Sequence, residues 1–271
     1  MIETNQKFIP EGWNTSDKIV TKEKLINAMK EGSILQGRVT SCDNNYTLYI
    51  ENKDGLEVII PREEIEAICL DSLGNPKASL CSKKVNKLVQ FQVNEFKEDE
   101  NKVILSRRKV GLQAVKWAMT DLEPGDIVNG IVTNICSFGV FVEIGGGISG
   151  LLHIEDISVA RIKSPFERFK IGQKIRVMIK CIRKENNMID LTYKELLGTW
   201  EDNIKNIKEG TIIQAIVREK EKNNKGIFME ITPNLVGLAE YTDDIKYGQK
   251  VNVLVKKIIP EKKKIKLIFV K

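Results

Sequence analysis

Apolar and polar residues alternate in three stretches of the chain, and each stretch begins at a turn that contains glycine. The stretches cover residues 31–39, 124–132 and 209–217. Alternation with a period of two is typical of a β-strand with one buried face. Each repeat also closes in the same way, with two further alternating stretches separated by a charged tip. The pattern therefore predicts three similar β-units in tandem.

Five short strands with a helix-like segment between the third and the fourth are the plan of an OB-fold barrel. The sequence predicts an all-β protein of three tandem five-stranded OB-fold β-barrels joined by short helical connectors. The predicted order is an N-terminal arm and helix over 1–31, a divergent first repeat over 32–108, a connector over 109–123, the middle repeat over 124–194, a connector over 195–208 and a divergent third repeat over 209–271.

Local signals place one helix before the first repeat. Residues 22–31 have a helical pattern, with Thr21 as a possible N-cap and Gly32 as a stop. The two connectors are also helix-prone, and each carries one tryptophan, Trp117 or Trp200. These tryptophans either anchor a connector to a barrel, which we favour, or offer a stacking surface for bases.

Composition and charge indicate what class of protein this is and what kind of partner it binds. The hydrophobic fraction of 42% and the charged fraction of 30% are those of a folded protein. A net charge of +6 is a weak indication of a polyanionic partner. Seven lysines against one acid lie between residues 255 and 271, either as a solvated strand face or as a surface that follows phosphates.

Several classes of protein are not expected. Five cysteines without close pairs and a single histidine argue against a zinc site and suit reduced thiols in the cytoplasm. No apolar run is long enough to span a bilayer, and the N-terminus lacks the apolar segment of a signal peptide. The glycines at 145–147 join two predicted strands rather than a strand and a helix, so they form no P-loop. We expect a cytoplasmic protein that is not an enzyme and has no metal, cofactor or membrane partner.

The second strand of the middle repeat carries the candidate chemistry. Side chains alternate between the two faces of a strand, so Val140, Val142 and Ile144 are predicted to face the core. Phe141 and Glu143 are predicted to point outward. The same logic places Phe228 and Glu230 outward in the third repeat, and Tyr49 and Glu51 outward in the first.

An outward aromatic residue at one position of three barrels has two interpretations. It is a platform on which nucleobases stack, or the ring packs under a neighbouring loop or connector. Phe138 is a further candidate, because its alternation places it in the core unless a bulge at Gly139 turns it outward. His153, at the end of the third strand, is either an ordinary structural residue or an outward neighbour of the second strand.

The middle repeat resembles the RNA-binding repeat of bacterial ribosomal protein S1. The resemblance rests on four segments, which cover residues 130–142, 150–154, 172–175 and 189–194. The other two repeats are similar to divergent members, so the likeness extends over residues 31–271. It implies an RNA surface built from Phe138, Phe141 and His153. The family's basic position falls on Met188, so either Arg183 or Lys184 replaces that contact or the contact is lost.

The divergent repeats keep only part of the family pattern. The first has Tyr46 and Tyr49 near the phenylalanine positions, Pro61 at the histidine position and Lys102 at the basic one. Extra sequence over about 69–85 is similar to leading S1 repeats, which dock to the small ribosomal subunit. The third keeps Phe228 and Lys264, but it has Glu240 at the histidine position and Lys225 near the first phenylalanine, so weaker RNA binding is expected there.

The sequence thus predicts a protein that binds single-stranded RNA, in particular messenger RNA, in translation. The small ribosomal subunit is a further expected partner. The alternative is an adaptor that docks ribosomal or transcription proteins through its first and third repeats. The candidate RNA-binding residues are Phe138, Phe141, His153, Arg183, Lys184, Phe228, Lys264, Tyr49 and Lys102.

Overall fold

The structure, a computed structural model, describes residues 6–14, 19–68, 70–72, 74–220 and 226–270. Contacts along the chain divide it into two compact units. The first unit comprises the chain up to Thr133 together with Phe141–Gly150 and Ile171–Ile189. The second unit comprises Asn134–Val140, Leu151–Lys170 and the chain from Asp190 onward.

The strands form three closed five-stranded barrels, which confirms the predicted fold class. In each barrel the strand order is first, second, third, fifth, fourth and back to the first. This is the order of an OB-fold, in which closure leaves no unpaired edge.

The strand bounds agree with the alternating stretches of the sequence. The first barrel contains β1 Leu35–Cys42, β2 Leu48–Ile50, β3 Glu57–Ile60, β4 Leu88–Lys97 and β5 Lys102–Ser106. The middle barrel contains β6 Ile127–Cys136, β7 Gly139–Gly145, β8 Ile148–His153, β9 Lys174–Arg183 and β10 Met188–Thr192. The third barrel contains β11 Ile212–Lys220, β12 Ile227–Thr232, β13 Leu235–Ala239, β14 Lys250–Ile259 and β15 Lys264–Phe269.

Alternation of side chains builds each core. On β7, Val140, Val142 and Ile144 are fully buried, as predicted. On β12, Ile227 and Met229 are fully buried in the same way. Such burial of aliphatic side chains is the main favourable term in folding each barrel.

Helix α1, Lys22–Glu31, has the predicted ends. The Thr21 hydroxyl accepts a hydrogen bond from the backbone N–H of Lys24, and Gly32 ends the helix with a φ of 64°. This left-handed conformation suits glycine because it has no Cβ. The other helices are α2 Ala78–Ser82, α3 Arg108–Thr120 and α4 Trp200–Ile204.

The connector tryptophans pack inside their units. The rings of Trp117 on α3 and Phe8 lie 5.4 Å apart, so Trp117 contacts the N-terminal arm. Trp200 packs against the core of the third barrel. Both tryptophans therefore serve as packing anchors, although the partner of Trp117 is the arm.

The arm formed by residues 6–14 is tied to the first unit. Phe8 is buried, and the backbone N–H of Ile9 donates to the side chain of Gln90 at 2.8 Å. The side chain of Gln6 accepts a hydrogen bond from the backbone N–H of Asn129 at 2.9 Å. These contacts join residues far apart in sequence, and the hydrophobic pattern does not predict them.

Among the described residues, no helix is both long enough and apolar enough to cross a membrane.

Candidate nucleic-acid interface

Phe138 lies in the short turn between β6 and β7, ahead of the first residue of β7. Its side chain is 49% exposed. Alternation of faces does not apply in a turn, so the strand pattern does not predict the direction of the Phe138 side chain. About half of this aromatic residue is therefore exposed at the surface.

His153 lies beside this turn, within the second unit. The backbone N–H of Ile154 donates to the carbonyl oxygen of Phe138 at 2.9 Å, which fixes the two segments together. Gly139 makes this approach possible, because a Cβ there would lie 2.5 Å from the carbonyl oxygen of Leu152. The structure therefore holds the segments that carry Phe138 and His153 side by side.

The orientation of the imidazole follows from its own hydrogen bond. His153 caps the 3-10 helix Ile154–Asp156, and its Nδ1 accepts from the backbone N–H of Glu155 at 3.4 Å. Since Nδ1 is occupied by this contact, Nε2 is the ring nitrogen that faces a ligand. The side chain is 45% exposed, so a ligand can reach it.

Phe141 lies on β7, in the first unit, and is half-buried. Its carbonyl oxygen accepts a hydrogen bond from the hydroxyl of Thr133 at 3.1 Å. Its neighbours Val140 and Val142 are buried in the core, so alternation places the Phe141 ring on the opposite face of β7.

Of the three glutamates predicted to point outward, Glu51 is exposed, but Glu143 and Glu230 are covered. Glu143 is buried and accepts hydrogen bonds from the backbone N–H groups of Glu11, Gly145 and Gly147 at 2.7, 3.0 and 3.1 Å. Glu230 is buried as well. Both point away from the barrel core, as alternation requires, but other segments of the chain cover them.

The basic candidates of the middle repeat lie at the tip between β9 and β10. Arg183 ends β9, and Lys184 begins the 3-10 helix Lys184–Asn186. Both are exposed, as is Met188, which occupies the family's basic position. Lys194 donates to Asp156 Oδ1 at 2.9 Å, so an internal carboxylate balances its charge.

In the first barrel, the residues at the corresponding positions have internal partners. The guanidinium of Arg62 lies 4.9 Å from the ring centroid of Tyr46. Tyr49 is half-buried, and its hydroxyl donates to Asp43 at 3.4 Å. Lys102 forms an ion pair with Glu57 at 3.2 Å. These contacts compete with any RNA contact on this barrel.

The third barrel has an exposed aromatic residue at the strand position that corresponds to Phe141. Phe228 is 37% exposed on β12, and Lys264 is exposed at the start of β15. Glu240 is exposed at the family's histidine position. Lys225 lies outside the described residues.

A closed five-stranded barrel with this strand order defines the class of OB-fold proteins. The family model described as the S1 RNA binding domain matches residues 29–108 and 121–194, which together make more than half of the chain. The chain belongs to the S1 RNA-binding domain family, and this confirms the resemblance.

The chain is similar to curated proteins that are named as components of the small ribosomal subunit. The chain is 31% identical to small ribosomal subunit protein bS1 of Staphylococcus epidermidis, over 66% of this chain and 49% of the relative. It is 28% identical to the bS1 protein of Staphylococcus aureus, over 98% of this chain and 75% of the relative. The chain thus spans between half and three quarters of the length of these relatives.

Among solved structures, the chain is similar to a multidomain protein with nucleic acid binding domains from Streptococcus pneumoniae. The match has 15% identity and a TM-score of 0.28, and it covers 93% of this chain and 76% of that one. At this TM-score the likeness carries no conclusion about function.

Proposed function

We propose that the protein binds single-stranded RNA, in particular messenger RNA, in translation in the cytoplasm. The observation that carries the proposal is the pair formed by Phe138 and His153. Both side chains are exposed, and a backbone hydrogen bond between Ile154 and Phe138 holds their segments side by side. Membership of the S1 RNA-binding domain family supports RNA as the ligand.

Stacking supplies most of the affinity in this proposal. Unpaired bases stack on Phe138 and Phe141, and His153 stacks or donates through Nε2. Each stacked base contributes about 1–3 kcal/mol, and every base offers a flat face. The proposed surface therefore tolerates many sequences.

Phosphates are the second source of affinity. Arg183 and Lys184 are exposed at the hairpin tip. In this proposal they supply the positive charge that is missing at position 188, where the family has a basic residue and this chain has Met188. Each lysine or arginine that neutralises a phosphate releases counterions, so the affinity falls as the salt concentration rises. No catalytic step forms part of this proposal.

A direct test is fluorescence anisotropy of a labelled single-stranded RNA at two salt concentrations. The wild type is expected to bind and to weaken with salt. The double variant Phe138→Ala/Phe141→Ala is expected to lose about 2–4 kcal/mol of binding free energy. Phe166→Ala is a matched control, because Phe166 is an exposed aromatic residue outside the proposed surface. Equal affinities for wild type and double variant would reject the stacking surface.

The first barrel favours a second function, namely docking to the small ribosomal subunit. The observation behind this proposal is the internal pairing of Tyr46 with Arg62 and of Lys102 with Glu57. Tyr46→Ala and Lys102→Ala are therefore expected to leave the RNA affinity unchanged. Co-sedimentation of the chain with small subunits tests the docking, and it is expected to persist in the Phe138→Ala/Phe141→Ala variant. Loss of co-sedimentation in that variant would show that RNA alone mediates the contact.

A further inference from the structure

A groove lies in the second unit between residues 159–163 and the outer face of the third barrel. Its first part is a cavity of about 350 Å³, lined by Val159, Ala160, Arg161, Phe228 and Val236 among others. This volume is in the range of sites that bind small molecules. Two apolar side chains of this part, Val159 and Phe228, are exposed.

The second part of the groove is a cavity of about 520 Å³. It shares Arg161, Arg218 and Glu219 with the first part, so the two cavities adjoin. Lys163, Lys246 and Tyr247 line its far end. The groove therefore runs from one aromatic ring, Phe228, to another, Tyr247.

The loop that forms one wall is fixed to the third barrel. The backbone N–H of Val159 donates to Asn234 Oδ1 at 3.2 Å, and that of Ala160 donates to the carbonyl oxygen of Pro233 at 2.9 Å. The hydroxyl of Ser158 donates to the carbonyl oxygen of Ala160 at 2.7 Å. The wall is thus in place before any ligand binds, which reduces the entropy lost on binding.

Internal carboxylates balance the charge at the floor of the groove. Arg218 is buried and donates to Glu230 Oε2 and to Glu167 Oε2, both at 2.5 Å. Arg168 also donates to Glu230 Oε2, at 2.6 Å. Each of these four charged side chains is therefore paired with another.

The rim, by contrast, is basic. Arg161, Lys163 and Lys246 are exposed there, and among the residues that the structure describes Glu219 is the one acid that lines the two cavities. Arg161 is 79% exposed and forms an ion pair with Glu219 at 3.2 Å. An ion pair this exposed is weak and exchanges readily for a phosphate contact. A basic rim over an apolar wall with an aromatic ring suits a ligand with flat bases and phosphates.

We propose that this groove holds about two consecutive unpaired nucleotides of single-stranded RNA. One base lies against Phe228 and Val159, and the phosphates follow Arg161, Lys163 and Lys246. This site rests on the proposed RNA binding of the chain and extends it to a surface formed by the middle repeat's loop on the third barrel. A longer RNA would gain affinity from the groove because its second contact is intramolecular.

The test compares a short labelled oligouridylate of about six nucleotides with one of about sixteen, by fluorescence anisotropy on the full chain. Phe228→Leu keeps an apolar side chain but removes the ring, and Arg161→Gln removes the rim charge. Each is expected to weaken binding of the longer RNA, Phe228→Leu by about tenfold, and to leave the short RNA unchanged. Ile212→Ala is the matched control, because Ile212 is an exposed apolar residue of the third barrel that lines neither cavity.

The outcomes separate the groove from the proposed function. If Phe138→Ala weakens binding of both RNAs while Phe228→Leu and Arg161→Gln weaken neither, the groove is not an RNA site and the RNA function stands. If the wild type binds neither RNA, the proposed function itself fails. Urea unfolding of each variant shows whether a loss of affinity comes from a loss of fold.

Discussion

Arg107 is the centre of a buried ionic cluster in the first unit, and its removal is expected to destabilise that unit strongly. Its side chain is only 3% exposed. It donates to Glu66 Oε2 at 2.8 Å and to the carbonyl oxygen of Ile65 at 2.9 Å, and it also pairs with Glu11 of the arm. Lys84 pairs with the same two carboxylates, at 2.6 Å to Glu66 and 2.9 Å to Glu11.

The magnitude follows from what Arg107→Ala leaves behind. The Glu11 and Glu66 carboxylates would stay buried, and only the Lys84 ammonium group would remain to balance their charges. Removing one partner of a buried ion pair costs about 3–5 kcal/mol, because the remaining charge stays desolvated. With an m-value of about 2 kcal/mol/M, the urea midpoint would fall by about 2 M.

Tryptophan fluorescence during urea unfolding measures this loss. Trp117 reports on the first unit, since its ring contacts Phe8, so the variant is made in a Trp13→Phe/Trp200→Phe background. Arg108→Ala is the matched control, because Arg108 also lies in the first unit and is exposed. An exposed arginine is expected to contribute under about 1 kcal/mol. A loss below about 1 kcal/mol for Arg107→Ala would refute the reasoning.

Three further predictions concern a glycine beside the proposed RNA surface, an asparagine of the third barrel and a glutamate of the arm. Gly139→Ala places a Cβ 2.5 Å from the carbonyl oxygen of Leu152, so it is expected to cost about 1–3 kcal/mol in urea unfolding and to weaken RNA binding with every ring still present. Asn234→Ala removes a buried amide that donates to the carbonyl oxygens of Lys194 and Gly198 at 2.6 and 2.9 Å, and a loss of about 1–3 kcal/mol in the same assay is expected. Burial alone would raise the pKa of Glu11, but the nearby Arg107 guanidinium and Lys84 ammonium outweigh it and lower the pKa from 4.5 to about 2. The stability this carboxylate contributes is therefore present above about pH 4.5 and lost as the pH falls towards 2, and urea midpoints measured across that range should fall less steeply in Glu11→Gln.

Local signals were enough to predict the fold. The caps of α1 at Thr21 and Gly32 are encoded within a few residues, and the strand pattern of period two predicts which residues of β7 are buried. These features depend on neighbours in the sequence, so a single chain reveals them.

The burial of Glu143 and Glu230 is not predicted by the sequence pattern, because it depends on distant segments of the chain. Glu143 is buried because the backbone of Glu11, 132 residues away, donates to it. Glu230 is buried because Arg168, 62 residues away, pairs with it. Alternation gives the direction of a side chain from the barrel core, but it contains no information about what covers the outer face.

The direction of the Phe138 side chain is not predicted by the strand pattern for a different reason. Alternation of faces applies only within a strand, and Phe138 precedes β7 in a turn. The family resemblance indicated its direction, and its exposure in the structure agrees with that direction. The RNA role of this residue, and of the other candidates, remains a prediction that depends on experiment.

Photo-crosslinking tests the central proposal most directly. Single-stranded RNA that contains 4-thiouridine is irradiated with the full chain, and the crosslinked peptides are identified by mass spectrometry. The account predicts crosslinks at Phe138 or His153, and their loss in the Phe138→Ala/Phe141→Ala variant but not in Phe166→Ala. Crosslinks confined to the first barrel, or unchanged in the double variant, would contradict it.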